Sequence, residues 1–248
     1  MKYNICVPIQ VKSVDLSEIT PTINKVIKLK PDFVELRFDY ISDIEKITKD
    51  FIISLINQIQ PQIPVICTFR EKSEGGQREI EINERRQIIE LIIESKPKFV
   101  DIEINTENQV LRDLILLASQ NEVIPILSYH DFERTPSYEE VSNILENSFK
   151  RLKNLLLVSE KILNKSIFKL IFIAHSFEDN IVPLKLCKLN SSKNSRIISF
   201  CMGDQGLFSR ILCPFSGSLL TFSSLDEKTA PGQVNIIKIR EILNLLNF

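Results

Sequence analysis

Eight short apolar runs, each followed by a longer polar or amphipathic stretch, restrict what this chain can fold into. The runs are Asn4–Val11, Phe33–Phe38, Pro64–Phe69, Phe99–Ile104, Val123–Leu127, Phe168–Ala174, Arg196–Cys201 and Leu219–Phe222. Helix-like segments lie between or after them: Ser17–Lys28, Ser42–Gln58, Glu81–Glu94, Thr106–Ser119, Ser137–Leu163, Asn180–Leu189 and Val234–Leu246. In Ser42–Gln58, Ile44, Ile47, Phe51, Ile52 and Leu55 fall on one stripe. The short runs are almost continuously hydrophobic, as strands are when other layers cover both faces. Eight-fold β–α alternation over 248 residues predicts an α/β fold, and specifically a (β/α)8 TIM barrel. No Gly-, Ser- or Pro-rich linker divides the chain, so residues 1–248 are read as a single catalytic domain. A doubly wound sheet is the alternative. It usually carries a glycine-rich phosphate turn after the first strand, and the first seventy-four residues contain no glycine.

Charge narrows the function. A formal net charge of −1 lacks the basic footprint of nucleic-acid binding. No apolar stretch approaches the ~18 residues of a membrane span, and the N-terminus reads as a first strand rather than a signal peptide. The five cysteines include no C-x-x-C pair, and Cys6, Cys67 and Cys201 sit in strand-like runs. They read as reduced core thiols of a cytoplasmic protein, without a zinc site. Six glycines fall in three places: Gly75 and Gly76, then Gly203, Gly206 and Gly217, then Gly232. Such sparing use suggests a backbone reason for each. Only two histidines, His130 and His175, are available for proton transfer near neutral pH.

In a barrel, chemistry collects at the C-terminal ends of the strands. There the sequence places charges that packing alone does not explain. Glu35, Arg37 and Asp39 alternate at period two along the second run. The third ends in Arg70, followed by Glu74-Gly75-Gly76. Asp101 and Glu103 share one side of the fourth, and His130 closes the fifth. Lys169 is the one charge in the sixth. Buried charges are costly unless paired or used, so an internal salt-bridge network competes with a catalytic reading. Lys169 could also be an exposed first residue whose stem snorkels outward. His175 reads as a loop or helix-entry residue. Arg210 follows the seventh run and suits a carboxylate anchor, because a guanidinium pairs bidentately with carboxylate. Thr229 and Gln233 follow the eighth and add neutral hydrogen bonds.

A strand lysine, a rim histidine, several arginines and internal acids suit a Schiff-base enzyme acting on a small anionic carbonyl compound. No metal cluster or nucleotide motif is evident. The motifs Val34-Glu35-Leu36-Arg37-Phe38-Asp39, Thr68-Phe69-Arg70, Glu74-Gly75-Gly76, Val100-Asp101-Ile102-Glu103 and Ser128-Tyr129-His130-Asp131-Phe132 occur in this order. Thr135-Pro136, Lys169-Leu170-Ile171, Gly206-Leu207-Phe208-Ser209-Arg210 and Thr229-Ala230-Pro231-Gly232-Gln233 follow. Together they resemble the type I 3-dehydroquinate dehydratase family, over roughly Glu35 to Gln233.

The resemblance implies a cytoplasmic (β/α)8 lyase, a homodimer, that needs no metal or organic cofactor. The implied reaction dehydrates 3-dehydroquinate to 3-dehydroshikimate in the shikimate pathway, toward chorismate and the aromatic amino acids. It implies that Lys169 forms the imine, His130 moves protons and Glu74 orients His130. Arg210 would anchor the carboxylate with Gln233 and Thr229 beside it. Glu35, Arg37 and Arg70 would bind ring hydroxyls, and Asp101 would support the lysine–histidine region. Its partners are then the small-molecule substrate alone, without nucleic acid or membrane. The Thr135–Phe168 segment is longer than the family's, which leaves Lys161 and Lys165 as competitors for Lys169. Only Lys169 opens an unbroken apolar strand. The rivals are another Schiff-base barrel enzyme such as a class I aldolase, and a non-catalytic barrel that binds a carboxylate metabolite.

Overall fold

The computed structural model describes residues 3–156, 160–191 and 196–246. Eight parallel strands lie in register order: β1 (Ile5–Gln10), β2 (Phe33–Arg37), β3 (Val65–Thr68), β4 (Phe99–Glu103), β5 (Ile124–Asp131), β6 (Ile167–Ile173), β7 (Ile197–Met202) and β8 (Thr221–Phe222). Each of β1 to β6 pairs with the next, and β1 also pairs with β8. The remaining seam is bridged by a 2.8 Å hydrogen bond from the Leu219 amide to the Ile197 carbonyl. The sheet is thus a nearly closed (β/α)8 barrel, as the alternation predicts.

The helices are α1 (Leu16–Leu29), α2 (Lys49–Ile59), α3 (Ile82–Glu94), α4 (Asn108–Gln120), α5 (Tyr138–Leu156), α6 (Glu160–Lys165), α7 (Ile181–Ser191), α8 (Leu207–Ser216) and α9 (Ile236–Leu246). None among the described residues is long and apolar enough to cross a membrane.

Three local expectations change. The helix expected from Ser42 begins only at Lys49, because the Thr48 hydroxyl accepts the Phe51 amide and caps it there. A single 3-10 turn, Ile44–Lys46, precedes that cap. The long helix expected over Ser137–Leu163 is described as α5 and α6; residues 157–159 of it lie outside the described residues. Helix α8 occupies a stretch read as loop, and it carries Arg210.

Alternation along the strands sorts two cores. Outward residues such as Val34, Leu36, Val65, Cys67, Val100 and Ile102 pack in the layer beneath the helices. Inward residues Cys6, Ile66, Phe99, Ile126, Ile167, Ile198 and Phe222 fill the barrel. All five cysteines are buried and unpaired.

Candidate active site

Two residues further along each inward-facing row, the barrel turns from apolar to charged. Phe33 is followed by Glu35 and Arg37, Ile66 by Thr68 and Arg70, Phe99 by Asp101 and Glu103. Ile126 leads to Ser128 and His130, and Ile167 to Lys169. These side chains are too enclosed for water to neutralise them, so they must satisfy one another.

Lys169 is at the centre and only 6% exposed. Its Nζ donates to Asp101 Oδ2 at 3.0 Å and lies 4.0 Å from Glu35 Oε1. The ammonium also sits 4.8 Å from the centre of the Phe222 ring. The snorkelling alternative fails: the side chain points into the barrel. Of the competing lysines, Lys165 ends α6 and is exposed, remote from these groups. Lys161 also falls in α6, with its side chain outside the described residues.

Asp101 is shared between three donors. Ser128 Oγ donates to its Oδ1 at 2.5 Å, and Arg70 Nη2 pairs with Oδ2 at 2.7 Å beside Lys169. Burial opposes its ionisation, but Arg70 and Lys169 outweigh burial and hold the carboxyl far below its usual range. Arg70 Nη1 donates to Glu103 Oε1 and to Ser128 Oγ, both at 2.7 Å. Burial works against the Arg70 charge, yet Asp101 and Glu103 raise its pKa above the ordinary value. Both its terminal nitrogens are therefore committed within the protein, although the side chain lines the cavity.

Thr68 Oγ1 donates to Glu35 at 2.8 Å. Arg37 forms a two-point pair with Asp39, at 2.7 and 2.8 Å. Asp39 lies past the end of β2 in a 3-10 turn (Phe38–Tyr40), fully buried. It does not line the cavity; its Oδ2 accepts the Gln77 amide and ties the turn to the loop after β3.

That loop carries Glu74. Its Oε2 accepts the His130 amide and lies 3.0 Å from His130 Nδ1. Asn105 Nδ2 donates to the other oxygen at 3.3 Å. Gly76 makes the loop tight enough: a Cβ there would lie 2.1 Å from the Arg70 carbonyl oxygen. Burial pushes the Glu74 carboxyl up to about 8. Burial, then Arg70 and Lys169, depress His130 well below its ordinary value, which keeps the imidazole neutral.

Arg210 approaches from the opposite wall and is fully buried. Its guanidinium donates to the carbonyls of Phe222 at 3.4 Å and Pro231 at 3.0 Å, and it lies 4.5 Å from the centre of the Phe200 ring. No acidic side chain among the described residues pairs with it. Burial lowers its pKa to about 10. Thr229 and Gln233 bond each other across the same wall: Gln233 Oε1 accepts the Thr229 amide at 2.7 Å, and Gln233 Nε2 donates to Thr229 Oγ1 at 3.0 Å.

Glu35, Arg37, Arg70, Glu74, His130, Lys169, Arg210, Thr229 and Gln233 thus bound one cavity of about 50 Å³. Asp101 sits beneath it, against Lys169. A roomier groove of about 250 Å³, between β1 and the loop after β8, is lined by none of them. His175 stays outside, with its Nε2 2.7 Å from the Glu133 carbonyl oxygen. The groups the sequence reading leaves without a role are Ser128, Asn105 and Arg85. Only Ser128 carried a signal, since it lies two residues from His130 on the inward row. Among the described residues, no group of three or more His, Cys, Asp or Glu side chains is arranged to hold a metal ion.

Residues 5–247 match the family described as Type I 3-dehydroquinase. A 3-dehydroquinate dehydratase of Methanococcus maripaludis is 34% identical, covering 98% of this chain and 99% of its own. One from Clostridium botulinum is 32% identical, covering 98% and 92%. Among solved structures, a type I 3-dehydroquinate dehydratase of Clostridium difficile superposes with a TM-score of 0.84 at 27% identity, over 99% of this chain and 92% of that one. That structure holds covalently modified comenic acid. A dihydropteroate synthase of Coxiella burnetii, at 10% identity and a TM-score of 0.62 over 99% and 92%, shares the fold alone.

Proposed function

The chain belongs to the type I 3-dehydroquinase family and is a hydro-lyase, and from that premise we propose that it dehydrates 3-dehydroquinate through an imine on Lys169. The observation that carries the proposal is a buried lysine beside a carboxyl-held histidine on the neighbouring strand, across from an arginine that pairs with no acidic side chain among the described residues. A non-catalytic binder has no use for the first two. An aldolase would use the lysine, but the motifs around Arg210 and Thr229–Gln233 favour a carboxylate substrate.

Arg210 takes the substrate carboxylate, exchanging carbonyl partners for a full counter-charge in a dry site. Gln233 and Thr229 flank it. Glu35 and Arg37 meet ring hydroxyls, and Arg70 shapes the pocket. The Lys169 amine, after giving up a proton, adds to the ketone carbon. His130 assists the proton transfers that convert the carbinolamine to a protonated imine with loss of water. The imine withdraws electrons from the adjacent C–H. His130 takes that proton, the resulting enamine expels the hydroxyl, and the proton held by His130 leaves with it as water. Water then hydrolyses the imine, so the net loss is one water. Asp101 and Glu35 stabilise the cationic nitrogen throughout. The covalent adduct in the Clostridium difficile relative's structure supports such covalent chemistry.

On the same reading, residues 1–248 act as one catalytic domain in the cytoplasm. The protein is a homodimer that supplies 3-dehydroshikimate to the shikimate pathway, without metal or organic cofactor. The test is to incubate the protein with 3-dehydroquinate, reduce with borohydride and map the adduct by mass spectrometry. A stable adduct on Lys169 is expected. No adduct, or one on Lys161 or Lys165, overturns the assignment.

A further inference from the structure

We propose that Arg85 is a positioning residue for the reaction at Lys169, acting through Glu103, Arg70 and Asp101; the inference rests on Lys169 being the imine-forming residue. Arg85 belongs to α3, outside the barrel. Ile88, Ile89 and Ile92 mark the buried stripe of that helix, and Arg85 occupies the place one turn before them. An apolar residue is expected there. Instead a guanidinium is buried, at 8% exposure. It reaches over the end of β3 to the Phe69 carbonyl at 3.1 Å and to Glu103 Oε2.

From Glu103 an alternating row of charges crosses the barrel. Glu103 Oε1 takes Arg70 Nη1, Arg70 Nη2 takes Asp101 Oδ2, and the same Asp101 oxygen takes Lys169 Nζ. Arg70 therefore divides its two nitrogens between two acids, and Arg85 supplies the second cation that lets it do so. Without Arg85, Arg70 is the only ion-pair partner of Glu103 among the described residues. Arg70 then draws toward Glu103, and the charge of Asp101 falls more fully on Lys169. That favours the ammonium over the nucleophilic amine.

The other groups facing Lys169 stay in place. They are Glu35 from β2, His130 from β5 and Cys6 from β1, whose thiol burial keeps protonated. β7 presents the uncharged Ile198 opposite Lys169, and β8 presents the Phe222 ring.

The test compares the pH dependence of kcat/KM for 3-dehydroquinate in the wild type, Arg85→Met and the double variant Arg85→Met/Glu103→Gln. Thermal unfolding is followed alongside. The expected result is a displacement of the Arg85→Met profile to higher pH by about half a unit or more, a ~3-fold change in proton affinity. The double variant, which removes the charge Arg85 balances, returns the profile toward the wild type. Arg85→Gln gives the same reading if Arg85→Met does not fold. A profile that superimposes on the wild type overturns the proposal, even with a lowered Tm. So does a displacement that Glu103→Gln does not reverse. A wild-type enzyme that forms no adduct on Lys169 would instead overturn the catalytic reading beneath it.

Discussion

Glu74 and His130 are joined twice through one atom: Glu74 Oε2 accepts the His130 backbone N–H and lies 3.0 Å from Nδ1 of the same residue. The backbone contact fixes the carboxyl and the ring contact fixes the imidazole, so Nε2 is left for the cavity. His130→Ala is expected to leave the borohydride-trapped adduct detectable while lowering kcat by ~10²–10⁴, the usual loss for an acid–base group. Steady-state kinetics with adduct mass spectrometry checks both halves. Unaffected turnover would make the histidine structural.

The same pair sets a pH dependence. Glu74 has an ordinary value of 4.5 and a folded-state value of about 8. Between those limits the folded protein holds a proton that the unfolded chain has released. The stability that this proton represents is complete below 4.5 and is lost as pH rises through about 8. Activity runs the other way. His130 offers a free Nε2 when Nδ1–H points at an ionised Glu74, so kcat/KM rises with pH toward about 8. In Glu74→Gln, the stability slope is expected to flatten, and the kcat/KM profile to lose the limb near pH 8 that Glu74 sets. Denaturation midpoints and pH–rate profiles from pH 5 to 9 measure them.

Arg210 carries a buried charge that awaits a partner. Arg210→Met removes that charge and the cost of burying it away from water, at the expense of two hydrogen bonds to carbonyls. Its thermal midpoint is expected to equal or exceed the wild type. Its kcat/KM is expected to fall ~10²-fold, about the value of a charge-assisted pair at 2–3 kcal/mol. Calorimetry and kinetics on one preparation separate the two effects. A large drop in Tm would show that the guanidinium is structural.

Asp101 behaves in the opposite way. It neutralises Arg70 and Lys169 at once, so Asp101→Ala leaves two buried cations short of a partner. The expected destabilisation is about 3–5 kcal/mol, the range for breaking a buried ion pair. Urea unfolding of Asp101→Ala beside Asp101→Asn, which keeps the shape and one acceptor, distinguishes charge from packing. Equal stability to the wild type would refute the charge network.

Much of the fold was legible because the physics behind it is local. A strand covered on both faces must be apolar along its length, and a helix against it must carry a stripe. The eight runs therefore mark eight strands within a few residues. Helix α8 escaped notice because Gly206 starts it, Pro214 lies inside it and Gly217 ends it, all residues that read as loop. Glu35, Arg37, Arg70, Asp101, His130 and Lys169 were visible as charges in or at the ends of apolar strands. Arg85 was not. In sequence it is one more charge in an acidic and basic stretch, like the half-exposed Arg86 beside it.

Sequence alone determined the alternation, the eight strands and which side chains turn inward, since period two follows from the pleat. It also supplied the order of the site motifs. Only the tertiary structure decided the pairing: that Arg70 is divided between Asp101 and Glu103, that Arg37 belongs to Asp39, and that Arg210 faces the cavity without an acid. Which of the charges on different strands neutralise each other depends on distances of 2.7–4.0 Å between residues tens of positions apart. Barrel closure sets those distances, and no local pattern encodes them.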